Sequence, residues 1–148
     1  MRKSIAVATT SIIAALAAVT LSAGPALAST TRVSTPILLA SLQLTKTGID
    51  GKTVPASLNC VRGINVYGQT YVNGNGTVTD PTAACQELAA VGGDFTKLNV
   101  HPTWLVSALV APVKVTATGR WASTSVNYAQ SFGNPTLLAK NTGDVFAF

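Results

Sequence analysis

The sequence is poor in charge. Charged residues make up 10% of its 148 residues, with ten lysines and arginines against five acidic residues. The basic residues are scattered and have no aromatic residues interleaved with them, so the net charge of +5 does not indicate a nucleic-acid-binding surface. Such a charge favours solubility instead. We therefore expect no nucleic-acid partner.

Histidine is also scarce, and this limits the chemistry that the chain can perform. The one histidine, His101, precedes a proline, which is typical of a loop residue. A hydrolase triad would depend on it alone, and the Gly-x-Ser-x-Gly turn is absent. The acidic residues are dispersed and form no pair suited to glycoside hydrolysis. No glycine-rich phosphate-binding loop follows a strand. We expect neither enzymatic activity nor a cofactor.

The one long apolar run lies at the N-terminus. A basic tripeptide precedes an apolar segment from Ile5 to Leu21, and Pro25–Ala28 ends with small residues at the positions that signal peptidase reads. A membrane anchor is disfavoured because the run is short and interrupted by Thr and Ser. We predict a signal peptide at residues 1–28 and a single secreted domain at residues 29–148, with no membrane association after cleavage.

Cysteine occurs only twice, at Cys60 and Cys85. In an exported chain an isolated pair is typical of a disulfide. Closing a loop of this length stabilises the fold by about 3.5 kcal/mol in the chain-entropy account. A metal site would need more ligands than two cysteines and one histidine provide. The pair therefore predicts a disulfide and no metal site.

Alternation of apolar and polar residues predicts the first strands. In residues 38–44 the inward positions are Leu38, Ala40, Leu42 and Leu44, and in residues 53–60 they are Val54, Ala56, Leu58 and Cys60. A turn at residues 48–51 would pair the two strands as a hairpin. Residues 61–80 are rich in Gly and Asn and are interpreted as a long loop, with a small hairpin within it as the alternative.

A helix is predicted next, capped by Asp80 with Pro81 at its first position and ended by two glycines at residues 92–93. Its inner face would consist of Cys85, Leu88, Ala89 and Val91. Further along, the pattern predicts a strand from Val113, a turn at Gly119, a strand at residues 121–131, a short helix at residues 135–140 and a final strand at residues 144–148. Such an order of elements indicates an α+β domain with an antiparallel sheet.

The segment "TWLVSALVAPV" at residues 103–113 is apolar, uncharged and rich in small side chains. One interpretation is a buried strand. The segment lacks clean alternation, however, and Ser107 and Ala108 supply little apolar area. The other interpretation is an exposed segment that a partner grips.

Several ordered motifs resemble the Streptomyces subtilisin inhibitor family of exported serine protease inhibitors. These are "LNC" at 58–60, "ACQELAAVGGDF" at 84–95, "TGRW" at 118–121, "VNY" at 126–128 and the terminal "DVFAF". The resemblance implies a five-stranded antiparallel sheet with two helices on one face, usually as a homodimer. It also implies a reactive loop before the strand that leads to the Gly-x-Trp motif.

Counting back from Trp121 places that reactive loop at residues 103–112, with the scissile bond between Ala108 and Leu109. By the resemblance, Ala108 would enter the primary specificity pocket of the protease, and Leu105 would enter a hydrophobic pocket of subtilisins. The other protease-contacting positions would be Val106, Ser107, Val110 and Pro112. A small residue at position 108 suits subtilisin-like or other broad-specificity serine proteases and does not suit trypsin-like ones.

The chain departs from the family pattern near this bond. Family members usually carry a second disulfide that braces the loop, and Val106 and Thr136 stand at its positions. Ser107 stands where proline is common. Each change loosens the loop, and a loose loop is hydrolysed as a substrate. The alternative function is therefore a non-inhibitory secreted scaffold or binding protein of the same fold, which proteases cleave.

Overall fold

The computed structural model describes residues 34–148, so the predicted signal peptide lies outside the described residues. Within this range one antiparallel sheet has the strand order β3-β2-β1-β4-β5. The strands are β1 (Ser34–Thr47), β2 (Thr53–Ile64), β3 (Thr70–Gly76), β4 (Val113–Trp121) and β5 (Thr124–Phe132), and the helices are α1 (Pro81–Ala90) and α2 (Pro135–Thr142). The predicted fold, a five-stranded antiparallel sheet with two helices on one face, is confirmed.

Strands β1 and β2 form the predicted hairpin, but the alternation is wrong at its outer positions. The register is irregular between Leu38 and Ala40. Because an extra residue reverses the side-chain direction, Leu39 is buried and Leu38 is 64% exposed. At the other end Val54 is 46% exposed. The remaining predicted inward positions of both strands are buried.

The long loop predicted for residues 61–80 is too long, but the small hairpin allowed within it is present. Strand β2 continues to Ile64, and β3 pairs with it from Thr70 to Gly76. The many Gly and Asn residues misled the prediction because they lie inside an edge strand as well as at its turn. At Gly74 an added Cβ would collide with the carbonyl of Pro81, so the glycine lets α1 pack closely on β3.

Helix α1 begins and ends as predicted. The Asp80 carboxylate accepts a hydrogen bond from the Ala83 N–H at 2.9 Å, which caps the helix. Ala84, Cys85 and Leu88 are its buried residues. The predicted disulfide is present: Cys60 of β2 and Cys85 of α1 are bonded, with their Cα atoms 5.6 Å apart. It fixes the helix to the sheet.

Two predictions for the second half of the chain are wrong. Strand β4 passes through Gly119, and the chain turns after Trp121, at Ala122. Gly119 has a positive φ within the strand, and a Cβ there would clash with the Ser41 carbonyl oxygen, so this position requires glycine. Residues 144–148 form turns and not a strand. The buried side chains of Val145 and Phe146 nevertheless belong to the core.

The core lies between the sheet and the helices. Its fully buried large side chains include Leu42, Leu44, Leu58, Leu88 and Val145. Val113 and Val115, strand residues that would suit a dimer interface if they were exposed, instead face the core and are 6% and 0% exposed. No helix among residues 34–148 is long and apolar enough to cross a membrane.

Candidate functional site

The segment at residues 103–112 forms a loop between a short 3₁₀ helix (Phe95–Lys97) and strand β4. It contains no helix or strand, and its side chains are exposed from Thr103 to Val110, with Leu105 at 94%. The buried-strand interpretation is therefore wrong. The loop presents apolar side chains to solvent on a segment without charge, which is typical of an interaction site.

Asn134 fixes the centre of the loop. Its side-chain amide donates hydrogen bonds to the carbonyl oxygens of Ser107 at 2.8 Å and of Leu109 at 3.1 Å. These two carbonyls flank Ala108, so one amide group holds the backbone on both sides of the predicted scissile bond. The Ala108 side chain remains exposed.

Asn134 is itself held in place by helix α2. It is the N-cap residue of the helix, and its side-chain oxygen accepts a hydrogen bond from the Leu137 N–H at 2.8 Å. The side chain is 7% exposed and uses both its oxygen and its nitrogen. Because its rotamer is fixed by the cap, the amide is already aimed at the loop before any partner binds.

The two ends of the loop are attached to the same part of the chain. At the C-terminal end, the Ala111 N–H donates to the Gly133 carbonyl at 2.9 Å, just before β4 begins. At the N-terminal end, the His101 N–H donates to the Lys140 carbonyl at 2.9 Å. Residues 133–140, which include most of α2, therefore support the loop along its whole length.

Within the loop, Ser107 makes a local contact. The Leu109 N–H donates to the Ser107 hydroxyl oxygen at 3.1 Å. This N–H belongs to the predicted scissile peptide. A serine at this position therefore orients that peptide locally, where the family resemblance would place a proline.

The loop offers apolar contacts and no catalytic group of its own. Residues 102–113 include no titratable side chain. The shifted pKa values lie elsewhere: burial lowers the pKa of Lys46, and burial raises the pKa of Glu87 and of Tyr128. Among residues 34–148 no group of three or more His, Cys, Asp or Glu side chains could hold a metal ion.

The structure brings the predicted protease-contacting residues together on one loop, from Leu105 to Pro112. The sequence reasoning missed Asn134 and Lys140. "SFGNP" indicated only a turn, and an Asn before Pro is a common helix cap. The contact with a loop 25 or more residues earlier has no local signal in the sequence.

The fold and loop define a small α+β protein that presents an exposed apolar segment on a rigid sheet. Comparison with known proteins gives the family. A family model described as subtilisin inhibitor-like matches residues 39–134. The chain therefore belongs to the subtilisin inhibitor-like family.

Relatives with assigned names agree with this membership. Subtilisin inhibitor-like protein 4 of Streptomyces lavendulae is 40% identical over 74 residues, which are 50% of this chain and 64% of that protein. Subtilisin inhibitor-like protein 5 of Streptomyces fradiae is 40% identical over 73 residues, which are 49% of this chain and 68% of that protein. The matches thus span about two thirds of each relative.

A solved structure supports the fold. Streptomyces caespitosus sermetstatin, determined in complex with Bacillus licheniformis subtilisin, aligns with a TM-score of 0.51 and 23% sequence identity. The alignment covers 77% of this chain and all of that chain. At this identity the likeness concerns the fold alone.

Proposed function

We propose that this protein is a secreted competitive inhibitor of subtilisin-like serine proteases, with residues 103–112 as its reactive loop and Ala108–Leu109 as the scissile bond. The observation that carries the proposal is the Asn134 amide, which bonds the carbonyls on both sides of Ala108. Family membership supports the same function. The structure of sermetstatin bound to subtilisin gives a precedent for this fold as a protease partner.

The geometry suits inhibition because it limits what the loop can do once bound. Serine proteases bind an extended segment through backbone hydrogen bonds and side-chain pockets. A loop that is already held loses little conformational entropy on binding. Ala108 would occupy the primary pocket of the protease and Leu105 a hydrophobic pocket further along. Val106 and Ser107 would contact the protease before the bond, and Val110 after it.

The same contacts favour religation after attack. When the catalytic serine attacks the Ala108 carbonyl carbon, the Leu109 amine is the leaving group. The Leu109 carbonyl is bonded to Asn134, and the Ala111 N–H is bonded to Gly133, so the amine stays beside the acyl-enzyme. Pro112 restricts the departing segment further. The amine can then attack the acyl carbon, re-form the peptide and free the serine.

The decisive experiment mixes the protein with subtilisin at stepped molar ratios and follows residual activity and intact mass for hours. Lasting stoichiometric loss of activity with little cleaved product is expected. Ala108→Asp places a charge in an apolar pocket and should abolish inhibition. Tyr67→Asp makes the same charge change at the exposed hairpin turn and is the matched control. Inhibition that survives Ala108→Asp would refute the assigned bond.

A second function has one observation in its favour. Val106 and Thr136 stand where the resemblance places the bracing disulfide, so the loop has no covalent brace at that point. A secreted scaffold or binding protein that proteases cleave would then be the function. Full protease activity with rapid scission between Ala108 and Leu109 in the same experiment would identify this alternative.

The proposal includes export and dimerisation. The basic start, apolar run and Ala-x-Ala site support a signal peptide at residues 1–28, and sequencing of the exported protein should begin at Ser29. The sheet face opposite the helices is uncovered within residues 34–148 and carries exposed Ser41, Gln43 and Thr118. A second copy would pack there, and sedimentation equilibrium should give twice the chain mass.

A further inference from the structure

A cluster of three side chains lies at the N-terminal end of the reactive loop. The imidazole of His101 and the indole of Trp104 are stacked, with ring centroids 3.8 Å apart and planes 5° from parallel. The Lys140 ammonium donates a hydrogen bond to the Trp104 carbonyl oxygen at 2.8 Å. We refer to His101, Trp104 and Lys140 as the clasp.

The clasp closes a turn onto helix α2. The Trp104 N–H donates to the His101 carbonyl at 3.1 Å, which makes the turn. The His101 N–H donates to the Lys140 backbone carbonyl, and the Lys140 side chain reaches the Trp104 carbonyl. Both ends of the turn are therefore bonded to one residue of the helix, and the rings of its first and last residues stack on each other.

The clasp connects the same two segments that the missing disulfide would connect. That disulfide would join position 106 of the loop to position 136 of α2. Trp104 lies two residues before position 106, and Lys140 lies four residues after position 136 on the helix. Residues four apart on a helix share a face, so Thr136 and Lys140 lie on the side of α2 that supports the loop.

We infer that the clasp positions the N-terminal half of the reactive loop in place of the second disulfide. This inference rests on the proposed function for its purpose but not for its geometry. The three residues are positioning residues: they act on Leu105 to Ala108 through the backbone. Stacked rings and a charge-assisted hydrogen bond restrict the loop without a covalent bond.

The test compares two backgrounds, the parent protein and V106C/T136C, which restores the second disulfide. Trp104→Ala removes the stack, and Lys140→Met removes the ammonium donor but keeps the alkyl chain. Each is made in both backgrounds. The measurements are amide hydrogen exchange of residues 104–109 in the free protein and the rate at which subtilisin cleaves Ala108–Leu109. Thiol alkylation and intact mass establish that the new disulfide has formed.

In the parent background we expect each variant to raise exchange and cleavage by about 10-fold, the loss that one good contact produces. In the V106C/T136C background the same changes should alter both rates by less than about 2-fold, because the disulfide already holds the loop. Such non-additivity is expected when the clasp and the disulfide hold the same part of the loop. Trp104→Phe keeps an aromatic stack and should retain most of the protection.

Two controls separate loop positioning from general effects. Tyr67→Ala removes an exposed aromatic ring at the hairpin turn, and Lys52→Met removes an exposed ammonium at the β1–β2 turn. Neither should change exchange at residues 104–109. Unfolding measured by circular dichroism should show that the clasp variants remain folded under the assay conditions.

The exchange comparison in the parent background decides the inference without any protease. Unchanged exchange at residues 104–109 in both Trp104→Ala and Lys140→Met would overturn it. Equal effects in both backgrounds would also overturn it, since the disulfide would then not share the role. Failure of the parent protein to inhibit subtilisin would instead remove the proposed function and leave the exchange result standing.

Discussion

The two ends of the sheet expose apolar side chains in different ways. One end carries the β2–β3 turn, where Val66 and Tyr67 are exposed. There the Asn65 side-chain oxygen accepts hydrogen bonds from the backbone N–H groups of Tyr67 and Gln69, both at 2.9 Å. All the bonds that shape this turn lie within a few residues of sequence.

The reactive loop lies at the opposite end, beside Thr47 of β1 and the start of β4. Besides two local hydrogen bonds, the loop and its N-terminal flank are bonded to residues 133–140, which lie 22 to 39 residues further along the chain. The difference teaches that exposure alone says little about rigidity. A turn can be shaped by its own sequence, whereas this loop keeps its shape only while α2 remains docked.

Removal of the disulfide should have the largest effect on stability and should spare the loop. Cys60 and Cys85 are both fully buried and join β2 to α1, away from residues 133–140. Cys60→Ala/Cys85→Ala should lower the free energy of unfolding by about 3.5 kcal/mol or more, through loop entropy and a cavity. Guanidinium unfolding measures this loss.

The same double variant sharpens the comparison between the two ends. At temperatures where it remains folded, its inhibition of subtilisin should equal that of the parent protein. A parallel loss of inhibition in the folded state would show that the loop end depends on the α1 side of the molecule, and the proposed separation would be wrong.

Asn134→Asp should have the next largest effect, which is on inhibition by the reactive loop at the other end of the sheet. Aspartate keeps an oxygen for the helix cap but replaces the amide donor with a carboxylate facing the carbonyls of Ser107 and Leu109. Loss of two hydrogen bonds, about 1–3 kcal/mol, should weaken inhibition by about 10- to 100-fold. Inhibition constants and cleavage rates measure this directly.

The control for that variant is Asp80→Asn, the reverse exchange at the N-cap of α1. Both residues are good caps, so neither change should lower the melting temperature by more than a few degrees. Only Asn134→Asp should affect inhibition. Equal inhibition by the two variants would show that the amide does not hold the loop in the bound state.

Asn65→Ala should have a smaller and purely local effect. It removes the acceptor for two backbone N–H groups at the hairpin turn and should cost about 1 kcal/mol. Hydrogen exchange should rise at Tyr67 and Gln69 and stay unchanged at residues 104–109. Faster exchange in the reactive loop would contradict this prediction, because it would show that the two ends of the sheet are energetically coupled.

Sequence alone predicts what depends on near neighbours. The Asp80 cap, the glycine stop of α1 and the alternation in residues 40–44 of β1 and 113–117 of β4 are local patterns, and the structure confirms them. The wrong predictions concern residues whose conformation depends on contacts with distant parts of the chain. Gly119 indicated a turn, yet it is a strand glycine forced by contact with Ser41 of β1.

For the reactive loop, too, the sequence predicts only what depends on neighbouring residues. Its position and apolar character are evident from residues 103–112, and the family resemblance adds the position of the scissile bond. The hydrogen bonds that hold the loop are not evident, because the sequence around Asn134 indicates only a helix cap and that around Lys140 only a surface lysine. The residues that hold the loop in place can therefore be identified only from the folded structure.

Glu87→Gln should have the smallest effect and tests the connection between the two halves. Glu87 lies on α1, and its carboxylate accepts a hydrogen bond from the Asp144 N–H at 2.8 Å, just after α2. Burial raises the pKa of Glu87 above its usual value of 4.5, and this outweighs the opposing effect of that hydrogen bond. The folded state therefore binds this proton more tightly than the unfolded state does.

The sign of the pH dependence follows. As pH rises from about 4.5 through the folded pKa, Glu87 ionises more readily in the unfolded chain, so its contribution to stability falls. Glutamine keeps an oxygen acceptor for the Asp144 N–H but does not titrate. Melting temperatures between pH 4 and 7 should thus fall less with pH in Glu87→Gln than in the parent.

Asp94 has the opposite behaviour, since hydrogen bonding from Thr96 lowers its pKa and its contribution to stability is lost as pH falls. It is present in both proteins and cancels in their difference. If the two melting curves keep a constant separation across this range, Glu87 does not titrate differently in the folded state. The contact between α1 and the chain after α2 is then independent of pH, and the docking of α2 that the loop requires is insensitive to acid at this point.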